Sequence, residues 1–285
     1  MDFLRKVAHL ARDIGISLLV VGTSVALYRL GVLGLIERSL ELSEAEVSIL
    51  RRLGVTASLF LGYWIVSRYY ERRPLTELAF RPIATLAGAA LGIVLIGITI
   101  LVLLASGNYQ IDSYRGLTEA LPILGAIVSI GIFEEVLFRG ILFRLFEKHM
   151  GTVTALVAQA IVFGVLHLFN DGTSWMTMIS VTLLGAFWAT IYVWSRNLWV
   201  VVANHVAWNV TIFGVGLPLS GQEEWRLSAP LTSNYTGPTW LTGGSFGPED
   251  SIINVALMAC ALSVLVHLAR RRGRFLPGSP SGTQK

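Results

Sequence analysis

Long apolar runs broken by short polar connections dominate the chain. A helix needs about 20 mainly apolar residues to cross the hydrocarbon of a bilayer. Eight segments meet that demand: Ile14–Ile36, Val47–Val66, Ile83–Ala105, Leu121–Phe143, Gly151–Phe169, Ser174–Ser195, Leu198–Leu219 and Ser251–Ala269. The second is the weakest, because Arg51 and Arg52 lie near its start. Most connections are short, so neighbours in sequence are expected to be antiparallel neighbours in space. The pattern predicts an all-α polytopic membrane protein of about eight transmembrane helices enclosing an intramembrane cavity. It divides into a three-helix membrane region (1–120), a transmembrane core (121–219), an extracytoplasmic loop (220–250), and a last helix with a cytoplasmic tail (251–285).

Composition agrees with this reading. Charged residues make up 14% of the chain, where soluble domains carry about 25%. Hydrophobic residues make up 54% and mean hydropathy is +0.65. These values exclude a disordered chain and a small disulfide scaffold, and they argue against a water-soluble globule. The basic residues sit at the ends of apolar runs and not along one face of an element, so the expected partner is the lipid bilayer and not nucleic acid. Cys260 is the single cysteine and forms no intramolecular disulfide.

Orientation follows from the basic residues. With a cytoplasmic N-terminus and eight alternating spans, 15 of them fall inside: Arg5, Lys6, Arg12, Arg68, Arg72, Arg73, Arg81, Arg144, Lys148, Arg196, Arg270, Arg271, Arg272, Arg274 and Lys285. Five fall outside: Arg38, Arg51, Arg52, Arg115 and Arg226. This bias predicts a multi-pass protein of the cell membrane with both termini cytoplasmic. In the outer loop, Thr242-Gly-Gly-Ser-Phe-Gly-Pro-Glu249 reads as tight turns leading into a helix, a structural cap.

Ionisable residues inside spans are costly, so they are the candidates for chemistry. Arg29 reads as a snorkelling side chain, and His149, in the turn after the fourth span, as an ordinary exposed histidine. Three clusters remain: Glu134-Glu135 with Arg139, Phe163 with His167, and His205 with Asn209. Glu135 and Arg139, four residues apart, share a helix face and are expected to neutralise each other as structural support. Glu134 lies about 100° further round and is left free. Glu134 and His167 stand equally far from the turn at Met150-Gly151, so an antiparallel hairpin brings them level. His205 reaches a similar depth, ~14 Å by helix rise from the cytoplasmic side, and Asn209 follows it by one turn. Such a set suits hydrolysis. Glu134 and His167 would activate water, and His205 and Asn209 would bind an oxyanion. The spacing leaves zinc held by Glu134, His167 and His205 as an open alternative. Water must reach Glu134, and a cavity open to the cytoplasm is expected.

The three clusters, Glu-Glu-x-x-x-Arg, Phe-x-x-x-His and His-x-x-x-Asn in that order, resemble the CAAX-protease and bacteriocin-processing family of intramembrane proteases, related to type II CAAX prenyl endopeptidases. The resemblance covers roughly Ile130 to Val210. It implies an eight-helix, glutamate-dependent endopeptidase, often classed as a metalloprotease, that cuts a membrane-anchored or lipidated peptide. Glu134, His167, His205 and Asn209 would be its catalytic residues. A non-enzymatic scaffold or bacteriocin-immunity protein, with the ionic cluster as glue, is the first alternative. A proton-coupled transporter is the second, and the lack of internal repeats counts against it.

Overall fold

Each apolar run becomes a helix in the computed structural model, which describes residues 2–278. We number the longer helices α1 (Phe3–Ser39), α2 (Glu44–Tyr70), α3 (Pro82–Ala105), α4 (Ala120–Met150), α5 (Thr152–His167), α6 (Trp175–Ser195), α7 (Leu198–Gly214) and α8 (Ile252–Arg271). Six are long and apolar enough to cross a membrane. The other two, α5 and α7, are shorter apolar helices of 16 and 17 residues. Their ~24–26 Å falls short of the ~30 Å hydrocarbon thickness. Of the eight expected spans, six therefore have the length to cross, and α5 and α7 are shorter apolar helices packed among them. Both short helices stop where polar residues and turn glycines begin, α5 at His167 ahead of Gly172 and α7 ahead of Gly216, two glycines with positive φ.

Local sequence sets the helix ends. Ser43 and Glu46 form a capping box at the start of α2. The α6–α7 turn is Arg196-Asn197: Arg196 takes a left-handed conformation, and the Asn197 side chain accepts from the Val200 amide. The predicted turn between α4 and α5 falls at Gly151, with φ of 87°. A Cβ there would lie 2.8 Å from the Gly278 amide nitrogen, so only glycine fits. Helices α3 and α7 pack backbone to backbone. Cβ atoms at Gly88 and Gly92 would stand 2.5 and 2.4 Å from the carbonyl oxygens of Val200 and Asn204, the close approach that small residues four apart permit.

The bundle has two unlike ends. One carries the start of α1, the end of α8 and an ionic network. There Arg144 and Arg73 share Glu71, at 2.6 and 2.7 Å, and Arg73 also reaches Glu77 at 2.8 Å. Glu147 pairs with Arg196. Asp13 holds Lys148 at 3.1 Å and His149 at 3.0 Å. His149 is therefore not the exposed histidine the sequence suggested; its side chain is 13% exposed and tied to α1. The opposite end carries the connections after α1, α3, α5 and α7. Here Tyr109–Tyr114 and Leu231–Tyr235 pair as two antiparallel strands, which the sequence did not announce.

Candidate active site

Helix α4 supplies the first cluster. Its α-helical geometry loosens into a π-helical stretch at Val136–Phe143, directly after the two glutamates, as helices often do at functional sites. Arg139 donates to Glu135 at 2.9 Å and to the Gly185 carbonyl of α6 at 2.9 Å. Neither side chain of this pair touches solvent. The guanidinium also lies over the rings of Phe163 and Trp188, at 5.1 and 5.7 Å, where the π faces partly replace lost water. The expected structural pair is present, and it ties α4 to α5 and α6.

Glu135 has a second duty that helix spacing did not indicate. It accepts a 2.8 Å hydrogen bond from His205 Nδ1. The imidazole stacks on Trp188, with centroids 3.8 Å apart. Trp188 is itself fixed by donation from its Nε1 to Asn204 at 2.9 Å. The ring of His205 is thus held on its edge and its face. Its Nε2 lies 3.8 Å from the carboxylate of Glu134.

His167 is the last residue of α5, and Phe163 positions it twice over. The Phe163 carbonyl accepts from His167 Nδ1 at 2.8 Å, and the two rings lie 4.4 Å apart. A carbonyl only accepts, so the proton sits on Nδ1 and Nε2 keeps a free lone pair. Glu134 differs from its neighbour in its surroundings: its side chain is 21% exposed, against 0% for Glu135. Asn209 is buried, and its carboxamide oxygen has no partner. Glu134, His167, His205 and Asn209 all line one cavity of about 240 Å³. The four residues singled out from sequence come together.

Residues 116–211 match the family described as type II CAAX prenyl endopeptidase Rce1-like. This segment is similar to the Rce1-like family. All three motifs lie inside the matched segment, which is about a third of the chain. An uncharacterized protein of Bacillus subtilis, YpbD, is 34% identical over 98 residues, which cover 34% of this chain and 46% of that protein. The chain thus spans about half the length of this curated relative. No solved structure matches.

Two features of this site were not anticipated. The first is Glu249. The segment around it makes the expected turn into α8, a short 3-10 helix at Pro248–Asp250. Its carboxylate nevertheless lines the cavity. It accepts from the Ser220 amide at 2.9 Å, the Ser220 hydroxyl at 2.6 Å and Trp208 Nε1 at 3.3 Å. Burial holds this carboxyl above the usual carboxylate range, opposed by the Ser220 hydrogen bond. The available signal was an acidic residue directly after turn glycines and a proline, and helix-start rules absorbed it.

The second is the position of the cavity. Its wall is completed by Asn170, Leu219, Ser220, Gln222 and Trp225. All five belong to the connections after α5 and α7, at the end away from the ionic network. The cavity therefore lies toward the end of the bundle opposite the α4–α5 turn. The hairpin argument placed Glu134 and His167 level with each other, but it measured depth from the inner turn. Because α5 ends at His167, the site lies against the opposite set of loops.

Among the described residues, no three His, Cys, Asp or Glu side chains are grouped to hold a metal ion. His205 Nδ1 is committed to Glu135 and His167 Nδ1 to a backbone carbonyl. These bonds leave each Nε2 uncommitted, the same division of ring nitrogens that a metal-bound histidine shows, and the function proposed for the site uses the chain's own side chains without a metal.

Proposed function

We propose that the cavity is the active site of an intramembrane endopeptidase that hydrolyses a peptide bond in a membrane-associated protein or peptide. The observation that supports this reading most directly is the convergence of two free acceptors and an unpartnered carboxamide on one cavity. Glu134 and the Nε2 of His167 both accept, so a water between them can offer each a hydrogen. Glu134 removes one proton as the water oxygen bonds to the peptide carbonyl carbon. The carbonyl oxygen becomes an oxyanion, to which Asn209 donates from its amide nitrogen and His205 from Nε2. His205 can donate there only with both ring nitrogens protonated, because Nδ1–H already serves Glu135. The C–N bond then breaks, and Glu134 returns its proton to the leaving nitrogen.

The test is purified protein in detergent or liposomes, with fluorogenic lipidated peptides and a panel of transmembrane peptides. Cleavage that disappears in Glu134→Gln and falls in Asn209→Ala supports the reading. Cleavage indifferent to all four residues overturns the site. A biological activity that survives Glu134→Gln returns the protein to the scaffold or immunity reading. Chelator titration in the same assay tests the metal: loss of cleavage that zinc restores would place zinc in the cavity, and indifference favours water held by Glu134 and His167.

A further inference from the structure

We infer that this cavity is served from the extracytoplasmic side of the membrane, and that its substrate is a membrane-anchored polypeptide cut in the outer half of the bilayer or just beyond it. This rests on the endopeptidase reading for the word substrate, and not for the direction of access. Three observations carry it.

The first is which end of the bundle is cationic. Among the described residues, the network end carries Arg5, Lys6 and Arg12, Arg68 near the end of α2, Arg72, Arg73 and Arg81 between α2 and α3, Arg144 and Lys148, Arg196, and the four arginines that close α8 and follow it. The cavity end carries Arg38, Arg51, Arg52, Arg115 and Arg226, with Arg29 inside α1 level with Arg51. Lysine and arginine in short connections stay on the cytoplasmic side, whereas acidic residues have little influence. Even the longest connection at the cavity end, between α7 and α8, is well under the ~60 residues to which the rule applies.

The second is where the cavity lies. Asn170, Ser220, Gln222, Trp225 and Glu249 are all contributed by connections at the basic-poor end. The ionic network of Glu71, Arg73, Glu77 and Arg144 closes the other end, where helices α2, α3 and α4 meet. Water from the cytoplasm would have to pass this packed layer, but water from outside meets Glu134 and His167 directly beneath the loops.

The third is a side entrance. Helices α4 and α5 touch along the π-helical stretch Val136–Phe143 and the turn that joins them, whereas Ala120–Glu135 scarcely contacts α5. The two helices diverge toward the cavity end. Glu134 and His167 line the opening wedge, whose exposed edges include Ile130 and Leu166. An extended chain running from the lipid can enter there without leaving the hydrocarbon. A lipidated C-terminus held in the cytoplasmic leaflet would arrive at the closed end. A polypeptide anchored by its own span, with its cut point at the outer surface, arrives at the open one.

The experiment separates access from catalysis. In a Cys260→Ser background, single cysteines are placed at Glu224, exposed beside the cavity wall, and at Arg72, exposed at the network end. Cells producing the full chain are labelled with a membrane-impermeant maleimide before and after permeabilisation. Glu224→Cys is expected to label in intact cells and Arg72→Cys only after permeabilisation. The reverse pattern overturns the inference, and neither result depends on enzymatic activity. Two reporters then share one membrane anchor and one cleavable segment, displayed outside in one and inside in the other. Glu134-dependent cutting of the outside reporter alone supports the substrate class. Cutting of the inside reporter, alone or with the other, overturns it. If neither is cut while labelling behaves as expected, the endopeptidase reading fails and the direction of access stands.

Discussion

The two ends of this bundle are comparably rich in buried ionisable groups, but they leave those groups in different conditions. At the network end each carboxylate is answered: Glu71 by two arginines, Glu77 by Arg73 and the Tyr63 hydroxyl, Glu147 by Arg196 and the Thr152 hydroxyl. Asp13 serves Arg12, Lys148, His149 and Tyr70. At the cavity end one oxygen of Glu135 and the Asn209 carboxamide oxygen are buried without partners, and His167 keeps a free ring nitrogen. Native structures leave few buried polar atoms unpaired, since each costs about 1–3 kcal/mol. Charge in a span does not by itself mark a site. Unspent hydrogen-bonding capacity around a cavity does, because it is available to substrate, whereas the paired network has only structure to maintain.

This contrast is broken most decisively by exchanging one glutamate at each end. Glu134→Gln keeps the shape and removes the base, so cleavage should fall by about 10²–10⁴ with unfolding temperature unchanged. Glu147→Gln removes the charge facing Arg196, so it should lower stability and leave kcat per folded molecule near the wild-type value. If both variants lose stability alike, the division between a working end and a structural end is wrong.

Next in size is Arg139→Ala. It strands Glu135 in an apolar interior, and breaking a buried pair costs about 3–5 kcal/mol. It also removes the guanidinium that lies over Trp188, the ring on which His205 stacks. Folded yield and thermal unfolding in detergent should fall sharply. A variant as stable as the wild type would show that Glu135 is neutral and that the pair holds nothing.

How much of this could be read from the chain follows from the range of the interactions. Glu135 with Arg139 and Phe163 with His167 are separated by one helical turn, so spacing alone places them. Glu134 and His167 flank a short hairpin, and counting from Gly151 levels them. Beyond one hairpin, the counting loses its reference. Trp188 looks like any other apolar residue of α6, and nothing local signals that its ring supports His205 or that Asn204 pins its Nε1. Glu249 reaches the cavity from 40 residues beyond Asn209, through a loop whose path depends on Ser220 and Trp208. The short lengths of α5 and α7 were blurred for a related reason: hydropathy does not distinguish residues facing lipid from those packed under a loop. The family match covers the locally legible part, 116–211, and leaves out Glu249.

A smaller effect on rate is expected from Asn209→Ala. Loss of one oxyanion donor typically costs about 10²–10³ in kcat. Because the oxyanion forms only during reaction, KM should move little. Asn209→Asp should fare no better, since a carboxylate cannot donate. Equal losses in kcat/KM and in substrate binding would place Asn209 in ground-state recognition instead.

The smallest effect concerns the turn that carries Glu249. Asp250 follows it and accepts from the hydroxyls of Thr177 and Ser180 on α6. Burial pushes its carboxyl up to about 6, against the opposing hydrogen bonds from Ser180 and Thr177. Unfolded aspartate titrates near ~3.9, so the folded turn binds the proton more tightly than the unfolded chain does. The sign is therefore the reverse of the usual carboxylate case. The stabilisation is complete below the unfolded pKa and is lost as pH rises through about 6. Amides of Gly243–Ser251 should be better protected from hydrogen exchange at pH 5 than at pH 8, once intrinsic rates are corrected. The α4–α5 turn at Gly151 serves as the reference within the same sample. Asp250→Asn should flatten the dependence and hold the turn in its low-pH state. A profile unchanged by that substitution would assign the effect to another group, and Glu249, buried beside it with its own carboxyl raised, is the next residue to exchange.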